Sequence, residues 1–329
     1  MVFDGKIQTM MNQHAKNTET QGSPISIMMP LLAMYLIWCS VSMILNTAGV
    51  MINLTKGWYE VIVPVAVVVY ILIACFITQI FIVHVDRRFD STPGLRLVVF
   101  IVTVGVEVLI YLWMARAGIR GNAISAVATA NLIVLACVCA SWMTHVVKRP
   151  SELVPLCVVA ALADMFSVFA GPTKQLAQGV ATYYETGMKG PPPLADFVLL
   201  KIAVPGIQIP MPLFGVSDWI ILAFLSLALS RFGLSDNLTG VGMSVNIERK
   251  RLSFYFPVAA LGLILAILAA QVMGLFLPAL PFVVIFFLTY SLIRYPDIRK
   301  LEKKEWLLLA GFSLVMITLL VSGLYFRHR

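Results

Sequence analysis

Leu162-Ala-Asp-Met-Phe-Ser-Val-Phe-Ala-Gly-Pro-Thr-Lys174 places one aspartate, Asp164, inside a long apolar run. About fifty residues on, Phe214-Gly-Val-Ser-Asp-Trp219 places a second, Asp218, inside another. A carboxylate in hydrocarbon costs several kcal/mol even on lenient scales, so an intramembrane aspartate points to a functional site. Gly171-Pro172 should end the first helix about seven residues after Asp164. Asp218 follows the start of the next run by about seven. Consecutive spans run antiparallel, so at 1.5 Å per residue both carboxylates lie about 10 Å below the same membrane surface. Matching depth is what a facing pair requires.

Two carboxylates a few ångströms apart in a low-dielectric site do not both ionise easily, so one keeps its proton while the other stays charged. The charged member can take a proton from water while the protonated member polarises a peptide carbonyl. Asp164 and Asp218 are therefore the candidate catalytic dyad. Gly215 and Ser217 are small and would let backbone or substrate come close to Asp218. The competing reading of the pair is a structural or cation-binding one.

The composition demands a membrane. Of 329 residues, 60% are hydrophobic and 12% charged, and the mean hydropathy is +0.92, whereas soluble domains are nearer half apolar and a quarter charged. The net charge of +8 sits mostly in short loops between apolar runs, which suits anionic lipid headgroups and orientation control. No compact basic surface with interleaved aromatics stands out, which argues against a nucleic-acid partner. The five cysteines lie within apolar runs and read as small core hydrophobes.

Nine runs are long enough to count as candidate spans: 27–49, 58–84, 94–115, 122–147, 152–171, 211–232, 253–276, 278–294 and 306–326. The expected fold is an all-α polytopic membrane bundle of about nine transmembrane helices, a multi-pass integral protein. A polar tail, 1–26, precedes a single membrane domain, 27–329. That domain divides into N-terminal helices (27–149), core helices with a long loop at 172–210 (150–294), and a C-terminal helix (295–329). The eighth run is short and follows the seventh across Leu277-Pro278, so the two could also form a kinked re-entrant pair. With the N-terminus inside, sixteen Lys and Arg fall on inside segments and eight outside, the bias expected for that orientation.

The 172–210 loop opens with a weakly amphipathic piece, Gln175–Tyr184, followed by the breaker Gly190-Pro-Pro-Pro193. Two extended-looking runs, Phe197–Val204 and Ile207–Leu213, meet at Pro205-Gly206, the residue order of a type II turn. A short hairpin is one reading and an irregular linker the other. Pro210 and Pro212 would confine the second run to an edge, and an exposed edge beside a site can take on another chain as a strand.

Asp164 followed by Phe166, Val168 and Phe169, then Gly-x-x-Asp at 215–218, then Pro278-Ala279-Leu280, resembles the motif order of the presenilin and signal peptide peptidase intramembrane aspartyl proteases. Lys201-Ile-Ala-Val-Pro205 is similar to the stretch before the second aspartate in the signal peptide peptidase branch. The resemblance spans roughly residues 150–285. It implies that Asp164 and Asp218 are catalytic, that Pro278, Ala279 and Leu280 shape the site and seat substrate, and that transmembrane or signal-peptide segments are cut. No metal or organic cofactor is implied. The family's Tyr before the first Asp is Ala163 here, and its second-motif Gly is Ser217. The aspartates fall on the fifth and sixth runs with a helix after Pro-Ala-Leu, where the family has them on the sixth and seventh and ends with that motif's helix. Such departures fit a divergent bacterial or archaeal relative.

Other chemistries lack their residues. There is no His-Glu-x-x-His and no Gly-x-Ser-x-Gly, and His84 and His145 read as interfacial. Gln79, Asn131 and Gln271 read as interhelical hydrogen bonders. Glu107 could pair with Arg116 or another helix, or serve a proton pathway. A proton- or cation-coupled transporter using Asp164, Asp218 and Glu107 is the alternative from another class. A catalytically inactive relative that binds membrane segments is the third.

Overall fold

The computed structural model describes residues 25–51, 56–117, 121–169, 171, 173–188, 190–207, 209–238, 252, 254–273 and 277–327. The tail up to residue 24, Pro172 and the basic stretch 249–251 lie outside the described residues. The helices are α1 (Ile25–Met51), α2 (Lys56–Phe81), α3 (Arg87–Ser91), α4 (Pro93–Ala117), α5 (Asn122–Thr144), α6 (Leu153–Phe169), α7 (Thr173–Glu185), α8 (Val216–Arg231), α9 (Val258–Met273), α10 (Leu280–Arg294) and α11 (Lys303–Arg327). Two strands, β1 (Leu199–Ile202) and β2 (Met211–Gly215), form an antiparallel pair. A π-helical turn at Ile82–Asp86 carries α2 into α3.

Each apolar run contains a helix, so the all-α class stands. The expected number of spans is met in part. Among the described residues five helices are long and apolar enough to cross a membrane: Ile27–Ala48, Glu60–Ser91, Pro93–Arg116, Asn122–Thr144 and Pro150–Phe169. Val258–Met273 and Leu280–Arg294 are shorter. At 1.5 Å per residue, the 16 residues of α9 rise about 24 Å, less than the hydrocarbon thickness of about 30 Å. The sixth run is also not helical throughout, because its first five residues are β2. Outward faces are apolar, as in Leu97, Ile101, Leu109, Leu307 and Leu314. Such a surface suits lipid rather than water, and the five long helices are consistent with a multi-pass membrane protein.

The centre of the molecule is α5, with 72% of its apolar window buried against 17% for α4. Its small residues Ala126, Ala130, Ala136, Cys137, Ala140 and Ser141 are all buried. Small side chains let neighbouring helices come close, and α1, α4 and α8 all pack on this helix. A second packing unit forms from α6, α10 and α11, with α9 laid along α10.

The 172–210 loop resolves in favour of the hairpin. Its amphipathic opening is α7, and the Ile207 N–H donates to the Val204 carbonyl at 3.0 Å, with Gly206 at φ +82°. That closes a turn with positive φ at its third residue, where glycine has no Cβ to clash. The strands are narrower than the extended runs, so the connection spans eight residues, 203–210, with a bulge at Leu200/Lys201. Pro212 sits opposite Lys201, whose own N–H points away to Thr129 Oγ1 (3.0 Å). The missing proline N–H therefore costs the ladder nothing at that register position.

A buried clasp joins the end of α8 to the start of α9. Asp236, 1% exposed, accepts from Ser226 Oγ (2.7 Å) and Tyr255 OH (2.8 Å), while Val258 N–H donates to the Asp236 carbonyl (2.9 Å). Burial pushes the Asp236 carboxyl up, and the two hydroxyls pull it partly back. Asp236→Ala strands both hydroxyls in the core. At about 1–3 kcal/mol for a buried unsatisfied group, the expected result is a clear fall in thermal unfolding temperature in detergent. An unchanged transition would show that the clasp is dispensable.

Candidate active site

Asp164 lies on α6, five residues before its last residue, Phe169. The helix stops where expected: Gly171 N–H donates back to the Phe166 carbonyl at 2.9 Å. A Cβ at Gly171 would fall 2.8 Å from the Ser167 carbonyl oxygen. Glycine is needed there because of that close approach.

Pro278, Ala279 and Leu280 stand at the opening of α10, with Ala279 at the cap and Pro278 buried. The first N–H groups of a helix have no partner within it and carry the positive end of its dipole. The Leu280 N–H donates to Asp164 Oδ2 at 3.0 Å. Two motifs 116 residues apart in the chain thus meet at one carboxylate.

Asp218 occupies the third position of α8, so it lies nearer the helix start than the apolar run implied. Its Oδ2 turns back to accept the Gly215 N–H at 3.1 Å. Gly215 has ordinary extended backbone, φ −74° and ψ 150°. A Cβ there would lie 3.2 Å from Ser217 Oγ, a side-chain tip that needs to give by a few tenths of an ångström, and in ordinary contact, 3.6 Å, with Asp218 Oδ2. Phe214 stacks on Trp219 at 5.8 Å and stiffens the strand-to-helix junction.

Both aspartates are half-buried. They come from different packing units. α8 is seated on α5, and α6 on α10 and α11, so the pair lies where the units meet. Each carboxylate accepts a backbone N–H at a helix N-terminus, which favours negative charge on either one. Gly215→Ala presses on Ser217 Oγ beside Asp218 while leaving the charges in place. The expected effect is a fall in any dyad-dependent rate of about tenfold to 10²-fold, partly restored by adding Ser217→Gly. A rate unchanged by Gly215→Ala would mean the N–H contact is unimportant.

Other sequence candidates separate. Glu107 takes the Asn131 Nδ2 donor at 2.9 Å, and Asn131 also accepts from Tyr35 OH at 2.6 Å. Glu107 therefore pairs with another helix rather than with Arg116, and Asn131 is the interhelical hydrogen bonder expected. Gln79 is fully buried with neither side-chain atom bonded, and Gln271 is exposed, so that reading fails for both. His145 sits exposed at the end of α5, 3.3 Å from Asp90, as an interfacial residue.

One polar group escaped the sequence reading. Lys201 Nζ lies 2.6 Å from Asp196 Oδ2, and Tyr184 OH donates to Asp196 Oδ1 at 2.9 Å. A lysine in the middle of the otherwise apolar Leu199-Leu-Lys-Ile-Ala-Val204 run was the available signal. Among the described residues no group of three or more His, Cys, Asp or Glu is arranged to hold a metal ion. Compared with protein-family models, curated proteins and solved structures, the chain finds no match.

Proposed function

We propose that this chain is an intramembrane aspartyl endopeptidase, embedded through about nine helices, that hydrolyses peptide bonds in transmembrane or signal-peptide segments. The observation that carries the reading is the bond from the Leu280 N–H to Asp164. Two motifs read separately, Asp164 and Pro278-Ala279-Leu280, meet in that bond, and the strand-to-helix junction Gly215-x-x-Asp218 supplies the second carboxylate of the reading.

The chemistry follows from two acids and water. The ionised carboxylate removes a proton from water as the oxygen attacks the scissile carbonyl carbon, and the protonated partner gives its proton to the carbonyl oxygen. The tetrahedral diol then collapses: one hydroxyl proton returns to a carboxylate, the amine leaves with a proton from the other, and the C–N bond breaks. A helical substrate hides its carbonyls in its own hydrogen bonds, so the bond to be cut must first be drawn out as extended chain. β1 is occupied on its outer side by Thr129, and Tyr70 takes the N–H of Ala203 just after it. β2 leads directly through Gly215 into Asp218. An extended segment paired on the β2 side places its next residues beside the dyad.

The test is cleavage of a tagged single-span substrate panel by purified protein in lipid, with and without a hydroxyl-isostere aspartyl inhibitor. Cutting that the inhibitor abolishes supports the reading. Ion- or proton-driven uptake in vesicles without cutting, or inhibitor-insensitive cutting, overturns it. Under this mechanism kcat/KM against pH is bell-shaped, its two limbs belonging to the pair. A flat profile between about pH 4 and 9 would count against a carboxylate pair.

A further inference from the structure

The hairpin is fastened to the bundle through β1 and the turn that precedes it. Lys201 donates its N–H to Thr129 Oγ1 on α5 at 3.0 Å, and the same hydroxyl donates to the Lys201 carbonyl at 3.3 Å. The Ala203 N–H donates to Tyr70 OH on α2 at 3.2 Å. Phe197 meets the edge of Tyr111 on α4, ring centres 4.2 Å apart. Its ring also lies 5.8 Å from Lys201 Nζ.

At the centre of this attachment is an ion pair withdrawn from solvent. Asp196 is 1% exposed and Lys201 7%, with Nζ 2.6 Å from Oδ2. Tyr184 of α7 holds the other carboxylate oxygen, and Lys201 lines a small cavity together with Glu107 of α4. A cavity of about 30 Å³ has both members of the pair in its wall, together with Tyr183 of α7 and Pro210 of the hairpin. Apolar packing is therefore thin where the hairpin meets α7, and the charges bridge the gap. A buried pair of this kind is poor evidence for added stability, because apolar replacements of similar volume often hold a fold as well. What it supplies is direction: Lys201 on β1 holds Asp196 at 2.6 Å, and Asp196 in turn takes the Tyr184 hydroxyl, so β1 is tied to α7 in one orientation.

We infer that the Asp196–Lys201 pair is a positioning latch that holds the hairpin so that β2 presents the side that is unpaired among the described residues to an extended peptide segment next to Asp218. The inference rests on the proposed protease reading for its consequence, but not for its structural content. Lys201 does not touch the reacting atoms and acts only through the strand.

The experiment compares the wild type with Lys201→Met and with the double variant Asp196→Leu/Lys201→Met, in lipid. Thermal unfolding, amide exchange across 199–215, and kcat and KM for a single-span substrate are read for each. Lys201→Met is expected to speed hairpin exchange and raise KM about tenfold with kcat nearly held, the pattern of lost ground-state binding. The double variant is expected to regain wild-type thermal stability while KM stays raised and exchange stays fast. Recovery of KM together with stability, or a loss in kcat at unchanged KM, overturns the latch. If the wild type cuts nothing, the protease reading fails. The latch is then judged by exchange alone, and unaltered hairpin exchange in Lys201→Met overturns it.

Discussion

Asp164→Asn and Asp218→Asn are each expected to lower peptide-bond cleavage by about 10²–10⁴-fold, the range spanned by a lost general acid or base. The two variants are chosen because they keep the scaffold intact. An asparagine carbonyl oxygen can still accept the Leu280 N–H at position 164 and the Gly215 N–H at position 218. What disappears is the ability to take and give a proton. Both roles are needed in a single turnover, so the double variant should be scarcely slower than either single one, as for residues that act as a unit. Cleavage rates of a tagged substrate in lipid, with unfolding temperatures as the control, make the comparison. Retention of more than about a tenth of the wild-type rate in either variant would remove that aspartate from the chemistry. Equal losses of rate and folding would reassign it to structure.

Gly262→Ala is expected to do comparable damage from a distance. Gly262 lies on α9 where that helix crosses α10, and a Cβ there would fall 2.4 Å from the Phe282 carbonyl oxygen and 2.7 Å from Val283 Cα. These are backbone atoms, which cannot swing aside as a side chain would, so α10 itself must shift. Overpacking typically costs about 1–3 kcal/mol, enough to outweigh the roughly 1 kcal/mol of helix propensity that alanine brings. Phe282 is two residues from Leu280, whose N–H holds Asp164, and a misplacement of about 1 Å at a reacting centre can cost 10²-fold. Gly311→Ala on α11 is the matched control, since nothing lies within 4 Å of its Cβ. The Gly262 variant should unfold at a lower temperature and cut slowly, while the Gly311 variant should do neither. Equal behaviour of the two would mean that the α9–α10 contact has room to spare.

How far the site could be read in advance depended on the range over which each signal acts. Pro205-Gly206 foretold its turn because turn chemistry is settled within four residues. Gly171 foretold the end of α6 for the same reason. The placement of Asp218 was missed because an apolar run looks alike whether its first residues are strand or helix. Met211–Gly215 is as hydrophobic as the helix that follows it. The start of α9 was placed too early by the same ambiguity, since Phe254-Tyr-Phe-Pro257 is apolar yet precedes the helix.

By itself the sequence determined the all-α class, the placing of the apolar helices, and the two aspartates set within such runs, together with Pro278-Ala-Leu280 as an interruption between two more. Each of these is written in local composition, where burial cost and backbone geometry act residue by residue. Only the tertiary structure decided that the Leu280 N–H meets Asp164, that the carboxylate of Asp218 turns back to the Gly215 N–H, and that Asp196 and Lys201 close on one another in the segment leading into the hairpin. The first contact joins residues more than a hundred positions apart, and the others depend on where strand gives way to helix or turn. Helix packing selects such contacts by shape and leaves no period in the sequence from which to read them.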